Sequence, residues 1–161
     1  MSSSPQGSIF ARGAWYVVIQ GILIGLILFG PQGPALVSSE PLLNILKSCG
    51  FAVGLLACLI MGIAAINLGK NLTPLPCPKD GAILIQNGLY QFVRHPMYFG
   101  VLLAALAWVL IFPNLYVLIY AISLFFLFDI KARREEVWLV ERFPEYKAYQ
   151  AMVKKLIPGI Y

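Results

Sequence analysis

A stretch near the middle of the chain, residues 94–100, combines anion-binding side chains with a helix start. It reads Arg94-His95-Pro96-Met97-Tyr98-Phe99-Gly100 and contains the only histidine of the sequence. Pro96 suits the first turn of a helix, where its missing N–H leaves nothing unsatisfied. An arginine and a histidine at such a start predict an anion site, because the helix dipole adds its positive end. Tyr98 lies one turn below Arg94 and is expected on the same face.

A simpler interpretation of the same stretch stays open. Arginines beside membrane helices often serve only as topology anchors, and tyrosines at that depth are often interface residues. The paired carboxylates Glu135-Glu136 also have a simple interpretation, as a solvated helix face that pairs with Arg133 and Arg134. A joint binding site is the alternative interpretation, and it requires that the two stretches lie on the same face of the membrane.

The composition predicts one integral membrane domain, residues 1–161. Hydrophobic residues make up 60% of the chain, charged residues 12%, and the mean hydropathy is +0.80, whereas a soluble domain carries about a quarter charged residues. The net charge of +5 does not indicate a nucleic-acid partner, since the basic residues cluster beside apolar runs. Cys49, Cys58 and Cys77 show no metal-ligand or redox spacing and are expected to be buried, reduced thiols.

Four apolar runs predict an all-α membrane protein with about four transmembrane helices and a cytosolic C-terminal helical tail. The predicted helices cover residues 14–30, 42–68, 96–112 and 115–130, and the tail covers 131–161 with a break at Phe143-Pro144. The short Pro113-Asn114 turn makes the third and fourth helices an antiparallel hairpin. Two pairs, Gly21/Gly25 and Gly50/Gly54, have the small-xxx-small spacing that permits close helix packing.

The polar connection before the third helix, residues 69–93, is rich in proline. Its apolar run Ala82–Ile85 is expected to be a strand, a docked hairpin or a buried loop. If the helices number four, eleven of the twelve lysines and arginines share one side with this connection, the N-terminus and the tail, and only Lys47 lies opposite. The positive-inside rule then predicts a multi-pass protein whose candidate site lies on the cytosolic face.

The chain resembles the isoprenylcysteine carboxyl methyltransferase family and the related phospholipid methyltransferases, which are integral membrane methyltransferases. The resemblance rests on the R-H-P-x-Y-x-G pattern at residues 94–100 and on Glu135-Glu136, and it spans about Asn67 to Pro158. The sequence departs from the family pattern at Pro144, where the family usually has glycine, and at Lys131, where arginine is usual.

The resemblance implies S-adenosylmethionine as cofactor, bound between the motif and the tail. Carried over to this sequence, its contacts would be Ala82, Ile83, Leu84, Ile85, Tyr90, His95, Pro96, Met97, Tyr98 and Glu135. The residue chemistry agrees. Arg94 and His95 suit the cofactor's carboxylate, and Glu135 suits its ammonium or diol. Ala82–Ile85 and Tyr90 offer an apolar slot for the adenine.

The methyl acceptor is predicted to be lipid-like, because the site lies at the membrane surface. A carboxylate acceptor, such as that of an isoprenylcysteine-like molecule, needs only a cation, and Arg134 or Lys131 could supply it. A phospholipid amine needs a base, and Glu136 is the only spare carboxylate beside the site. The basic tail favours the carboxylate acceptor, and hence a carboxyl O-methyltransferase. A phospholipid amine N-methyltransferase, a nicotinamide-dependent membrane reductase and a non-enzymatic four-helix membrane protein are the alternatives. The sequence does not define the oligomeric state.

Overall fold

The computed structural model describes residues 13–78 and 81–161, which form five α-helices. These are α1 (Ala14–Phe29), α2 (Glu40–Leu68), α3 (Pro96–Ile111), α4 (Leu115–Arg142) and α5 (Tyr146–Met152). Two short 3-10 helices, Gly69–Asn71 and Gly88–Gln91, lie in the connection between α2 and α3. The described residues contain two isolated β-bridges and no strand, so the predicted all-α class is confirmed.

Two of the helices are long and apolar enough to cross a membrane. They span Glu40–Asn71 and Leu115–Arg142, and only 17% and 33% of their most apolar windows are buried inside the protein. Helices α1 and α3 are apolar but shorter, with 16 residues each. Large apolar side chains on α2, such as Phe51, Leu55 and Ile66, are exposed, as expected for a helix that faces lipid. The number of crossings stays a prediction.

Helix α2 packs closely against α3 because a glycine lies in the contact. A Cβ atom added at Gly50 would lie 2.9 Å from the backbone oxygen of Ala107 and 2.7 Å from Cγ1 of Ile111. Gly54 faces the same helix more loosely, since its added Cβ would lie 3.6 Å from the Ala107 Cβ. The predicted small-residue packing is therefore found for this pair.

The matching pair in α1 makes no such contact. A Cβ atom added at Gly21 or Gly25 would have no described atom within 4 Å outside its own helix turn. Helix α1 instead packs against α4 and α3 through larger side chains. Their buried cluster comprises Tyr16, Ile27, Ala105, Val117, Leu124, Leu127 and Phe128.

The two ends of the helix bundle differ in structure. At one end, the Leu36 amide donates to the Pro113 carbonyl over 2.9 Å, and the Leu115 amide donates to the Pro34 carbonyl over 3.0 Å. There Asn114 caps α4 by accepting a 3.0 Å hydrogen bond from the Val117 amide. The opposite end gathers the start of α1, the α2–α3 connection and the tail, and it holds the candidate site.

Helix α4 continues beyond Ile130, where the sequence predicted its end. It runs unbroken to Arg142, so both glutamates lie on a helix that is continuous with the apolar segment. Residues 131–142 are rich in good helix formers such as alanine, arginine, glutamate and leucine, and one face, Lys131, Ala132 and Glu136, is buried. The break at Phe143-Pro144 is confirmed by the separate helix α5.

The cysteine prediction holds only in part. Cys77 is buried, whereas Cys49 and Cys58 are exposed on α2, and all three are free thiols. Their exposure follows from the apolar outer face of α2, which the protein itself does not cover. Arg12 and Lys79, two of the cations assigned to the cytosolic side, lie outside the described residues.

Candidate functional site

The segment that precedes α3 is fixed by the tail through backbone hydrogen bonds. The Arg94 amide donates to the Lys154 carbonyl over 2.8 Å, and the His95 amide donates to the Lys155 carbonyl over 3.1 Å. An isolated parallel bridge between Val93 and Lys154 continues this pairing. The residues before α3 are thereby held against a segment 60 positions later in the chain.

The Arg94 side chain reinforces this attachment. Its Nε donates to Oε1 of Glu136 over 2.7 Å, and its Nη2 donates to Oε2 over 3.3 Å. Its Nη1 donates to the carbonyls of Gln150, over 3.0 Å, and Val153. Four of the five guanidinium N–H groups are therefore engaged. Since the two paired side chains are only 11% and 9% exposed, the pair joins α3, α4 and the tail in a dry environment.

Glu136 collects several further hydrogen bonds. Gln150 Nε2 donates to Oε2 over 3.0 Å, and the Tyr146 hydroxyl donates to Oε1 over 3.4 Å. Nε2 of His95 lies 3.1 Å from Oε1. Both oxygens of this carboxylate are thus occupied by protein groups, and the side chain holds α5 against α4.

Glu135 points to the other side of α4 and has fewer partners. The Tyr98 hydroxyl donates to its Oε2 over 2.7 Å, and Nδ1 of His95 lies 3.7 Å from the same oxygen. The Glu135 side chain is 25% exposed, against 9% for Glu136. The Tyr98 ring stacks between His95 and Phe128, with centroid distances of 5.2 and 4.7 Å. Stacking on both faces fixes the direction of the hydroxyl toward Glu135.

These side chains border a cavity of about 360 Å³, a volume typical of small-molecule sites. Its polar wall comes from α1, α3, α4 and the two residues before α3, and it contains Gln20, Arg94, His95, Tyr98, Lys131 and Glu135. Its apolar wall comes from the α2–α3 connection and contains Leu72, Leu75, Ala82, Ile83, Leu84 and Ile85. The cavity can therefore enclose a molecule that has both a flat apolar part and a charged part.

The apolar wall is an irregular extended segment held by side-chain amides. Asn71 Nδ2 donates to the Ile83 carbonyl over 2.9 Å, and the Ile83 amide lies 3.4 Å from Asn71 Oδ1. Asn67 Oδ1 accepts a 3.1 Å hydrogen bond from the Leu89 amide. Of the three expected forms, the structure shows a loop, because a side chain takes the place of a neighbouring strand. The loop is not buried as expected, since Ile83 is 67% exposed.

Lys131 is the cation of the cavity that lacks a carboxylate partner. It is 1% exposed, its Nζ donates to Oε1 of Gln20 over 2.8 Å, and it lies 5.1 Å from the centroid of the Tyr98 ring. Within residues 13–78 and 81–161, no carboxylate oxygen lies within ion-pair distance of it. The ammonium is therefore available to an anion in the cavity.

Buried tyrosines complete the side of the cavity next to the tail. The Tyr149 hydroxyl donates to the Tyr90 carbonyl and so joins α5 to the α2–α3 connection. Burial raises the pKa of Tyr149 to about 12, and burial also raises the pKa of Tyr90 and Tyr146. All three hydroxyls therefore remain protonated donors at physiological pH.

Most of the predicted cofactor contacts line the cavity. They are Ala82, Ile83, Leu84, Ile85, Tyr90, Arg94, His95, Met97, Tyr98 and Glu135. Pro96 does not line it, because it is buried as the first residue of α3.

The three residues predicted to act on the acceptor are separated in the structure. Lys131 lines the cavity. Arg134 is exposed and lies 4.8 Å from the ring of Trp138, outside the cavity. Glu136 also lies outside it, since its neighbours enclose it. Residues 134, 135 and 136 follow one another around the helix at about 100° per residue, so they cannot all face the same side as Lys131.

The cavity also contains residues to which the sequence analysis assigned no binding role. They are Gln20, Asn71, Leu139, Phe143 and Tyr146, together with Tyr149. Gln20 carried a usable signal, because it is a lone amide inside an otherwise apolar helix. Tyr146 and Tyr149 are spaced to share one helix face. The sequence offered no signal that placed Asn71 beside Ile83.

The fold and the site together define a helical membrane protein with a small-molecule cavity at one end of its bundle. The model of the isoprenylcysteine carboxyl methyltransferase (ICMT) family matches residues 50–141, a region that includes both motifs. The chain belongs to this family.

Two known proteins show how far the similarity extends. The protein-S-isoprenylcysteine O-methyltransferase of Dictyostelium discoideum is 30% identical over 107 residues, which cover 64% of this chain and 45% of that protein. The solved structure of the eukaryotic intramembrane Ras methyltransferase ICMT aligns with a TM-score of 0.67 and 25% identity, covering 99% of this chain and 55% of that one. The chain thus spans about half the length of these relatives.

Proposed function

We propose that the protein is an integral membrane methyltransferase that uses S-adenosylmethionine and methylates the carboxylate of an isoprenylcysteine-like lipid. The observation that carries this proposal is the meeting of both family motifs around one cavity. His95 and Tyr98 from the first motif contact Glu135 from the second. The names of the two similar proteins supply the reaction and the acceptor class.

The residues of the cavity fit S-adenosylmethionine. The apolar wall, Ala82–Ile85, suits the adenine, and Glu135 suits the ammonium or the ribose diol because its second oxygen is uncommitted in the described structure. The cofactor's carboxylate suits the free N–H groups in the first turn of α3 and the remaining N–H of Arg94. The volume of about 360 Å³ agrees with a ligand of that class.

The reaction requires positioning more than acid–base chemistry. When bound, the cofactor would supply a methyl group on its sulfonium. Transfer of that methyl to an acceptor carboxylate oxygen would leave the carbon–sulfur electron pair on sulfur and would require no proton transfer. Lys131 would hold the acceptor's carboxylate, since it is the unpaired cation of the cavity. The tail and the α2–α3 connection would exclude water, which favours the displacement.

The structure gives the alternatives less support. An amine acceptor needs a base, but the candidate base Glu136 has both oxygens engaged by Arg94, Gln150 and other neighbours. Family membership favours neither the nicotinamide-dependent reductase nor a non-enzymatic role. We also propose that the chain crosses the membrane four times and that the cavity lies on the cytosolic side. The clustering of most lysines and arginines at that end of the bundle supports this topology.

Methyl transfer by the full chain in detergent tests this proposal. We expect labelled S-adenosylmethionine to methylate an S-prenylcysteine analogue and to leave phosphatidylethanolamine unlabelled. Calorimetry should detect binding of the cofactor and of its demethylated product, but not of NADPH. Labelling of the phospholipid amine alone would show that the acceptor is an amine and not a carboxylate. Binding of NADPH alone would contradict the methyltransferase function.

A further inference from the structure

We propose that Gln20 is an acceptor-binding residue, and that Gln20 and Lys131 together form the site that recognises the acceptor's carboxylate. This inference rests on the proposed methyltransferase function. Gln20 lies on α1, far from both motifs in sequence, yet it lines the same cavity as His95 and Glu135.

The hydrogen bond between the two side chains leaves only donors free. Gln20 uses its carbonyl oxygen to accept from Lys131 Nζ over 2.8 Å. Its amide nitrogen, with two N–H groups, has no acceptor among the residues that the structure describes. The Lys131 ammonium likewise has two N–H groups left. A pair that offers donors and a positive charge suits an anion and disfavours an ammonium group.

The neutrality of glutamine is essential to this arrangement. A glutamate at the same place would pair with Lys131 and cancel the charge. Because Lys131 is 1% exposed, its field is screened less than that of a surface lysine. The amide of Gln20 is its one hydrogen-bond partner in the described structure. Gln20 thus orients the ammonium without neutralising it.

The position of the pair along α4 assigns it to the acceptor rather than to the cofactor. Lys131 precedes Glu135 by four residues, about 6 Å along the axis toward the apolar part of the helix. Beyond Lys131 the cavity is lined by Val101 and Phe128. A lipid with its chain in the apolar part would present its carboxylate at Lys131. The cofactor's ammonium would then meet Glu135, one turn nearer the tail.

Kinetics of Gln20 variants in the full chain test the assignment. Gln20→Met keeps the length of the side chain and removes its hydrogen bonds. It should raise the KM for the S-prenylcysteine analogue by on the order of tenfold, as expected for lost hydrogen bonds to a charged group. The dissociation constant of the demethylated cofactor should stay within about twofold of the wild type, because no contact of Gln20 with the cofactor is proposed. Gln20→Glu should reduce acceptor use further, because it neutralises Lys131.

Two controls separate charge from packing. Gln32→Glu introduces the same charge at an exposed position at the opposite end of the bundle and should leave both constants unchanged. Two inhibitors of the methylation reaction can be compared in the wild type, a non-reacting carboxylate analogue of the acceptor and its carboxamide. The carboxamide lacks the negative charge and should inhibit more weakly. Gln20→Glu should remove that difference.

Several results would overturn the inference. One is an unchanged KM for the acceptor in Gln20→Met; another is an equal loss of cofactor and acceptor affinity, which would place the cofactor at this pair. If Gln20→Met loses its thermal transition, Gln20→Asn replaces it with the same criteria. Failure of the wild type to methylate the analogue would overturn the proposed function itself and this inference with it, and it is visible without any variant.

Discussion

At the residue scale, two adjacent glutamates have different surroundings. Glu136 is 9% exposed and bound by Arg94, His95 and Gln150. Glu135 is 25% exposed and faces the cavity beside Tyr98. Neighbours on a helix point about 100° apart, so one can serve structure while the other serves binding. The same substitution, glutamate to glutamine, is therefore expected to have different effects at positions 135 and 136.

Replacement of each glutamate by glutamine should separate these roles. Glu136→Gln should lower the stability of the folded protein by about 3 kcal/mol, because it leaves Arg94 as an unpaired buried cation. Glu135→Gln should barely change stability but weaken cofactor binding by about 1–3 kcal/mol, the worth of a lost charge-assisted contact. Thermal unfolding in detergent and calorimetry with S-adenosylmethionine measure the two effects. Equal destabilisation by both variants would contradict the assignment.

At the element scale, the close contact between α2 and α3 depends on glycines, among them Gly50 of α2. We expect Gly50→Ala to destabilise the protein by about 1–3 kcal/mol, the usual cost of overpacking, because the added Cβ would lie 2.9 Å from the Ala107 backbone oxygen. Gly54→Ala, with 3.6 Å to the nearest atom, should be tolerated and is the matched control. The thermal midpoint in detergent reports both, and an unaffected Gly50→Ala would show that the helices are not in close contact.

The same elements show how much the sequence could predict. Apolar runs located the four apolar helices α1 to α4, because a helix that faces lipid requires continuous apolar residues. The small-xxx-small spacing could not show that Gly50 contacts a partner helix and Gly21 does not, since spacing defines a face but not its neighbour. The predicted end of α4 at residue 130 was wrong, because residues 131–142 are charged and the apolar pattern stops there although the helix continues. The role of Gln20 depended on a contact with Lys131, 111 positions away, which no local pattern reveals.

At the scale of the whole molecule, the two ends of the bundle are predicted to lie on opposite sides of the membrane. Single cysteines at Ser39 and at Gln86, each in a background without Cys49, Cys58 and Cys77, test this. Ser39 precedes α2, and Gln86 lies in the α2–α3 connection beside the cavity. An impermeant thiol reagent should label the Gln86 position from the cytosolic side and the Ser39 position from the other. Labelling of both from one side would contradict the four-crossing arrangement.

The attachment of the tail to Arg94 and His95 also has a consequence for biosynthesis. The tail leaves the ribosome after α1 to α4, so the apolar helices can enter the membrane before Gln150 or Lys154 has been translated. A premature stop codon between Arg142 and Gln150 should therefore give a chain whose four apolar helices are complete, with Arg94 deprived of its carbonyl partners and the cavity open on one side. We therefore expect membrane integration and acquisition of a closed binding site to be separate stages in the maturation of this protein.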